Sequence, residues 1–80
     1  MRLPRDIGGL DLAKLLARYG YRITRQTGSH LRLTTQAGGE HHITIPAHLP
    51  LRVGTLNAIL VEVARHLKRD KTELIQEIWS

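Results

Sequence analysis

The stretch Tyr21-Arg22-Ile23-Thr24-Arg25-Gln26-Thr27-Gly28-Ser29-His30-Leu31-Arg32-Leu33-Thr34-Thr35 decides the fold. Both halves alternate in the way of half-buried strands. In the first, Tyr21 and Ile23 fall on one side and Arg22, Thr24 and Gln26 on the other. In the second, Leu31 and Leu33 oppose His30, Arg32 and Thr34. Between them Gly28 offers the positive φ that a tight connection needs. Ser29 is a common turn residue whose hydroxyl bonds locally. The reading is a hairpin with strands over 21–26 and 31–35. His30 stands where the second strand begins, among cationic side chains. Its imidazole, with an ordinary pKa of ~6.5, is the one group of the turn that trades protons near neutrality. By itself such a turn reads as a polar hairpin with a surface histidine, because a catalytic histidine needs partners in space.

Outward from the hairpin, Gln36-Ala37-Gly38-Gly39-Glu40 reads as a second turn. His41 to Pro46 reads as a third strand, with Ile43 and Ile45 against His42, Thr44 and Pro46. Short turns join these runs, so the spacing predicts an antiparallel meander. Strict period two then sorts the sheet. Ile23, Leu31, Leu33, Ile43 and Ile45 form a core face. Arg22, Thr24, Gln26, His30, Arg32, Thr34, His42 and Thr44 form an open, cationic face. Upstream, Leu12, Leu15, Leu16 and Tyr19 hold helical spacing over 10–19, with Asp11 at the N-terminal end, Arg18 at the C-terminal end and Gly20 to close the helix. Downstream, 47–53 is a loop, and Thr55 is the expected N-cap of a second helix that carries Leu56, Ile59, Leu60, Val63 and Leu67. Asp70-x-x-Glu73 starts a third, short helix in the manner of a capping box. Its apolar residues are Leu74, Ile75, Ile78 and Trp79; the tryptophan either packs on the core or serves self-association. The order is α-β-β-β-α with an extra short C-terminal helix. That is an α+β fold in which two helices cover one face of a three-stranded antiparallel sheet, the order of double-stranded-RNA-binding domains.

The composition bounds what such a domain does. Eighty residues make a single domain over 1–80, with a core over about 3–67 and the last helix over about 70–79. There is no Phe, one Trp and two Tyr, so Leu and Ile carry the burial. Zero Cys excludes a disulfide framework and a thiolate site, which fits a cytoplasmic location. No apolar run is long enough to span a membrane, and Met1 to Asp6 lacks the apolar stretch of a secretory signal. Twelve Lys and Arg against seven Asp and Glu give a net charge of +5. Arginine dominates, eight of the twelve cations falling in the first 65 residues as Arg2, Arg5, Arg18, Arg22, Arg25, Arg32, Arg52 and Arg65, and the guanidinium forks two hydrogen bonds onto a phosphate. A polyanion partner and a solubilising surface both fit that charge. Five histidines raise a metal reading. His41 and His42 point to opposite faces of one strand and no Cys assists them, so no metal or cofactor is expected.

Five pieces of the chain then occur in a shared order: Leu3-Pro4-Arg5, Gly20-Tyr21, Arg25-Gln26-Thr27-Gly28-Ser29-His30, Pro46-Ala47-His48, and Gly54-Thr55-Leu56-x-x-Ile59-Leu60. On these residues the chain resembles the HicA-like toxins of bacterial type II toxin–antitoxin systems, the small mRNA interferases. The resemblance implies a metal-independent endoribonuclease that cleaves mRNA and stops translation. It implies a HicB-like antitoxin that covers the His30 face, and it makes His30 the catalytic residue.

The chemistry agrees with that implication. RNA carries its own nucleophile, the 2′-OH, so a metal-free nuclease needs a base, charge for the crowded phosphorane and a proton for the leaving oxygen. A neutral histidine takes the first role. Arg25 and Arg32 would hold the phosphate. The start of the second helix at Thr55 offers backbone donors. His42 and His48 are the candidates for a general acid. The RNA-binding set expected here is therefore Arg22, Arg25, Ser29, Arg32, His42, His48 and Thr55. Two other classes stay open on the residues alone: a non-catalytic RNA-binding module on the same frame, and a module whose only partner is protein.

Overall fold

Helix α1 (Gly9–Leu16) begins where Gly8 is extended, and the Asp11 carboxylate accepts a hydrogen bond from the Gly8 amide at 3.3 Å. It buries Leu12, Ala13 and Leu16. A 3-10 turn (Ala17–Tyr19) follows, and Gly20 ends it in the left-handed conformation at φ 87°. The chain then forms β1 (Arg22–Thr27), β2 (His30–Thr35) and β3 (His41–Pro46). Helices α2 (Val53–Leu67) and α3 (Lys71–Ile78) complete it. This computed structural model describes residues 3, 4 and 6–79. Arg2 and the Arg5 of the lead-in lie outside the described residues.

The sheet is an antiparallel meander in the order β1-β2-β3. Helix α1 lies against all three strands and α2 against β3. The core between them is aliphatic: Leu12, Leu16, Leu31, Leu33, Ile45, Leu56 and Leu60 are fully buried, together with Tyr21. Each such leucine contributes roughly 1.5–3 kcal/mol by leaving water. Thr35, on the core side of β2, is buried but satisfied. It donates to the Tyr19 carbonyl and accepts from the Ala37 amide, both at 3.1 Å. The architecture is thus the expected α+β order, one sheet face covered and one left open.

Three local expectations are corrected. Ile23 pairs with Leu33 on the core side but is 44% exposed. It lies on an outer strand, with no further strand beside it among the described residues. Gln26 is not on the open face. A β-bulge between Ile23 and Arg25 shifts the register, so Gln26 pairs with Leu31 while Arg25 pairs with Arg32. An extra residue in one strand reverses the alternation beyond it. Thr55 is not the N-cap of α2, which starts two residues earlier behind an extended Arg52 that makes no side-chain cap.

The third helix has its expected cap: the Asp70 side chain accepts from the Glu73 amide at 3.1 Å. Leu74 and Ile75 are buried, and Ile78 and Trp79 pack against the same core. Glu77 fastens the helix. It takes a bidentate pair of bonds from Arg69 at 3.0 and 3.2 Å, a bond from the Tyr19 hydroxyl, and its own carbonyl accepts from Arg18 at 2.9 Å. The Arg69 bonds, then that of Tyr19, lower its carboxyl from 4.5 to about 2. A carboxylate depressed in the folded state stabilises fully above pH 4.5 and stops doing so as the pH falls toward 2. Acid should therefore loosen α3 in that interval. The emission of Trp79, the single tryptophan, is expected to shift red there, and Glu77→Gln should flatten that step.

Candidate functional site

The open face is ordered in three levels, counted from the hairpin turn. Gly28 and Ser29 form the two-residue loop, with Gly28 at φ 50° and open space where a Cβ would stand. Glycine at the first loop position is the preference of a type II′ turn, whose twist matches that of the strands. The first level is Thr27, His30 and Pro46 across β1, β2 and β3. His30 is exposed, and its Nδ1 lies 3.5 Å from the Ser29 hydroxyl. Its β3 neighbour Pro46 has no N–H, and the next residue instead closes the ladder, the Ala47 amide donating to the Ser29 carbonyl at 2.6 Å.

The second level is Arg25, Arg32 and Thr44. Like charges directly opposite on neighbouring strands destabilise a sheet. Among the described residues neither arginine, nor Arg22, has an ion-pair partner. The repulsion stands uncompensated, so this level is poised to take an anion. The third level joins Arg22 and Thr24 to Thr34 and His42. Thr24 and Thr34 share a hydrogen bond through their hydroxyls at 2.9 Å, and Thr34 another with His42 Nδ1 at 2.7 Å. Glu40 lies 3.9 Å from the far nitrogen of His42. Thr24, Arg25, Arg32, Thr34, Gln36, Glu40 and His42 line one shallow groove of about 440 Å³.

The structure thus brings His30, Ser29, Arg22, Arg25, Arg32 and His42 to one face. It separates His42 from His30. Four residue steps along β3 separate His42 from Pro46, the partner of His30, which is ~13 Å of strand. The two imidazoles are too far apart to act on one phosphate. His48 lies beyond the sheet, lining a cleft with Gly8, Gly9, Asp11 and Lys14 at the start of α1. Thr55 is in the first turn of α2, behind the core face. Neither shares the open face.

His41 and His66 have a different use. His41 lies on the core side of β3, bonded through Nδ1 to the Tyr21 hydroxyl at 2.8 Å and stacked on His66 at 4.3 Å between ring centroids. His66 bonds the Ala37 carbonyl at 2.9 Å. Burial, then the neighbouring His66, holds His41 below the ordinary histidine range, and burial pushes Tyr21 up to about 12. These groups tie α2 to the β2–β3 turn. Sequence reasoning did not place Arg25 on the open face by alternation, and it missed the Thr24–Thr34–His42 chain. Both depend on the bulge, whose only trace in the sequence is a polar run, Thr24-Arg25-Gln26-Thr27, with no apolar residue to fix the alternation.

A sheet with helices on one side and an unneutralised basic face on the other, an imidazole at its rim, defines a small α+β domain equipped to bind anions. A family model described as HicA toxin of bacterial toxin-antitoxin matches residues 9–70, and the chain belongs to that family. It is therefore a toxin of a toxin–antitoxin pair, and an antitoxin partner follows from that membership. Comparison with curated proteins and with solved structures gives no significant match. Among the described residues no helix is long and apolar enough to cross a membrane.

Proposed function

We propose that this toxin is a metal-independent endoribonuclease that cleaves mRNA, with His30 as its single general acid/base, and that a HicB-like antitoxin neutralises it by covering the His30 face. The observation that carries the reading is the exposed His30 one register step from the opposed and unpaired Arg25 and Arg32. Two residue steps of strand separate His30 from Arg32, ~7 Å. Long guanidinium side chains bridge that interval, so a phosphate held by Arg25 and Arg32 has its ribose 2′-OH within reach of the imidazole. The groups nearest His30 are the Ser29 hydroxyl and, one level on, the guanidinium groups of Arg25 and Arg32, the donors of an anion site; the Glu40 carboxylate of the groove stands by His42.

In the reaction His30 takes the proton of the 2′-OH. The O2′–P bond forms and the P–O5′ bond breaks. The 5′-oxygen leaves with a proton from water, and His30 returns its own to solvent. Arg25 and Arg32 stabilise the charge that grows on the non-bridging oxygens. Arg22 and the Thr34–His42 chain hold the neighbouring nucleotide, and Ser29 steadies the imidazole. The products are a 2′,3′-cyclic phosphate and a 5′-hydroxyl.

The test uses toxin freed of antitoxin, a defined RNA and excess chelator, with end-group analysis of the products. Cyclic phosphate ends are expected, together with no cut where a 2′-deoxy residue replaces the ribose. Salt-sensitive binding of RNA that stays intact would instead make the domain a binding module. Arg25→Ala and Arg32→Ala are each expected to lower cleavage about 10²-fold. Each should also reduce the slope of log affinity against log salt by about one, measured by titration with uncleavable RNA.

A further inference from the structure

We propose that the free edge of β1, with the apolar groove beside α1, is a docking surface for an extended segment of the antitoxin that carries alternating apolar and acidic side chains. The proposal rests on the family's antitoxin partner and not on the ribonuclease reading. Strand β1 is an outer strand whose only neighbour among the described residues is β2, and all six of its residues are exposed. Its outward backbone groups have no partner among the described residues. Proteins blunt such edges with proline or lysine, because an open edge recruits another strand. The other edge, β3, ends in Pro46; β1 has no proline or lysine, only the bulge at Thr24 and the charges of Arg22 and Arg25.

Beside this edge Leu10, Ala13, Ala17, Tyr21 and Ile23 line a groove of about 310 Å³, with Lys14 and Arg22 at its rim. Leu10 is 52% and Ile23 44% exposed, two of the four large apolar side chains left in solvent among the described residues. A strand added to β1 would turn its side chains alternately to the groove and to the open face. On the groove side they meet Leu10 and Ile23, which select apolar groups. On the open side they meet Arg22 and Arg25, which select carboxylates. A second copy of this chain does not fit, because pairing β1 with itself would bring two copies of Arg22 and Arg25 onto one junction. An RNA strand fits less well, since five of the seven groove residues are apolar or aromatic and only Lys14 and Arg22 bring cationic donors. Seated there, the segment also neutralises Arg25 from the flank and so weakens the anion site beside His30.

The experiment measures the affinity of the cognate antitoxin for the toxin and for Ile23→Glu and Leu10→Glu, with Leu49→Glu as a control. Leu49 is 76% exposed and outside the groove. The two groove variants are expected to lose about tenfold or more in affinity and the control nothing. All three should keep their RNA-directed activity, so that Ile23→Glu escapes neutralisation. Amide hydrogen exchange on the wild-type pair supplies a measurement independent of how the variants fold: binding should protect the backbone of 22–27. Unchanged affinity of both groove variants would overturn the proposal. So would an unprotected 22–27 segment, or a loss of RNA binding in place of antitoxin binding. Failure of the ribonuclease reading would appear separately, as uncut RNA with the wild-type toxin.

Discussion

His30→Ala is expected to remove RNA cleavage, by a factor of at least ~10² and up to ~10⁴, and to leave the fold intact. The two halves of this result have separate causes. Loss of cleavage follows because no other imidazole stands ready to take the 2′-OH proton. His42 is ~13 Å of strand away, His48 opens into the cleft beside α1, and His41 and His66 are committed to each other and to Tyr21 and Ala37. Retention of the fold follows from exposure. The imidazole of His30 is exposed, and among the described residues its hydrogen-bond neighbour is the Ser29 hydroxyl at 3.5 Å. Such a surface change costs within about 0.5 kcal/mol. Single-turnover cleavage and thermal unfolding of the same preparation check both halves. A binding module would behave differently: its affinity would shift by a small factor and its RNA would be uncut before and after the substitution.

Gly9→Ala is expected to damage stability more than any substitution on the open face. A Cβ at this position would stand 2.1 Å from the Pro46 carbonyl oxygen and 3.1 Å from the Ala47 Cα. Both are backbone atoms and cannot swing aside. The first turn of α1 sits directly on the end of β3, held there by the Gly9 amide donating to the His48 carbonyl at 3.0 Å. A methyl group would force helix and strand apart, at a cost of ~3 kcal/mol or more. For a domain of this size that lowers Tm by more than about 10 °C. The displaced segment includes Pro46, the β3 neighbour of His30, so cleavage should fall as well. Gly54→Ala is the control. Nothing lies within 4 Å of a Cβ there, and the position is inside α2, so helix propensity should make the change neutral or favourable by up to ~1 kcal/mol. Thermal denaturation of the two variants separates a steric clash from a general intolerance of alanine for glycine.

Much of the candidate site was legible in the chain because its information is local. Gly28-Ser29 between two alternating runs specifies a tight hairpin, and a tight hairpin sets His30 at the head of β2 whatever the rest of the protein does. The alternation of Leu31 and Leu33 with His30, Arg32 and Thr34 is fixed by the pleat, so one face had to be polar once the other was buried. The helical spacing of Leu12 and Leu16, and of Leu56, Ile59, Leu60 and Val63, likewise carries its own period, and Asp70-x-x-Glu73 its own cap. The family pattern rests on these local pieces, which is why it was recognisable before any contact was known.

What tertiary structure decided lies in the relations between elements. The bulge at Thr24 is set by how β1 pairs with β2, and it turns Gln26 to the core side while it sets Arg25 opposite Arg32. The exposure of Ile23 follows from its place on an outer strand, not from the character of isoleucine. The five histidines are alike in sequence, yet packing gives them different uses: His41 and His66 stack behind the sheet, His48 lines the α1 cleft, and only His30 and His42 face the open side. Thr55 carries a good N-cap side chain, but the backbone turns helical two residues earlier and leaves it in the first turn of α2, on the covered side. By itself, then, the sequence determined which elements form and which side of each strand is polar, because those follow from the 3.6 and 2.0 residue periods of a single segment. The tertiary structure decided which polar groups meet, because register, bulge and edge position arise only when two segments pair and a third fails to cover them.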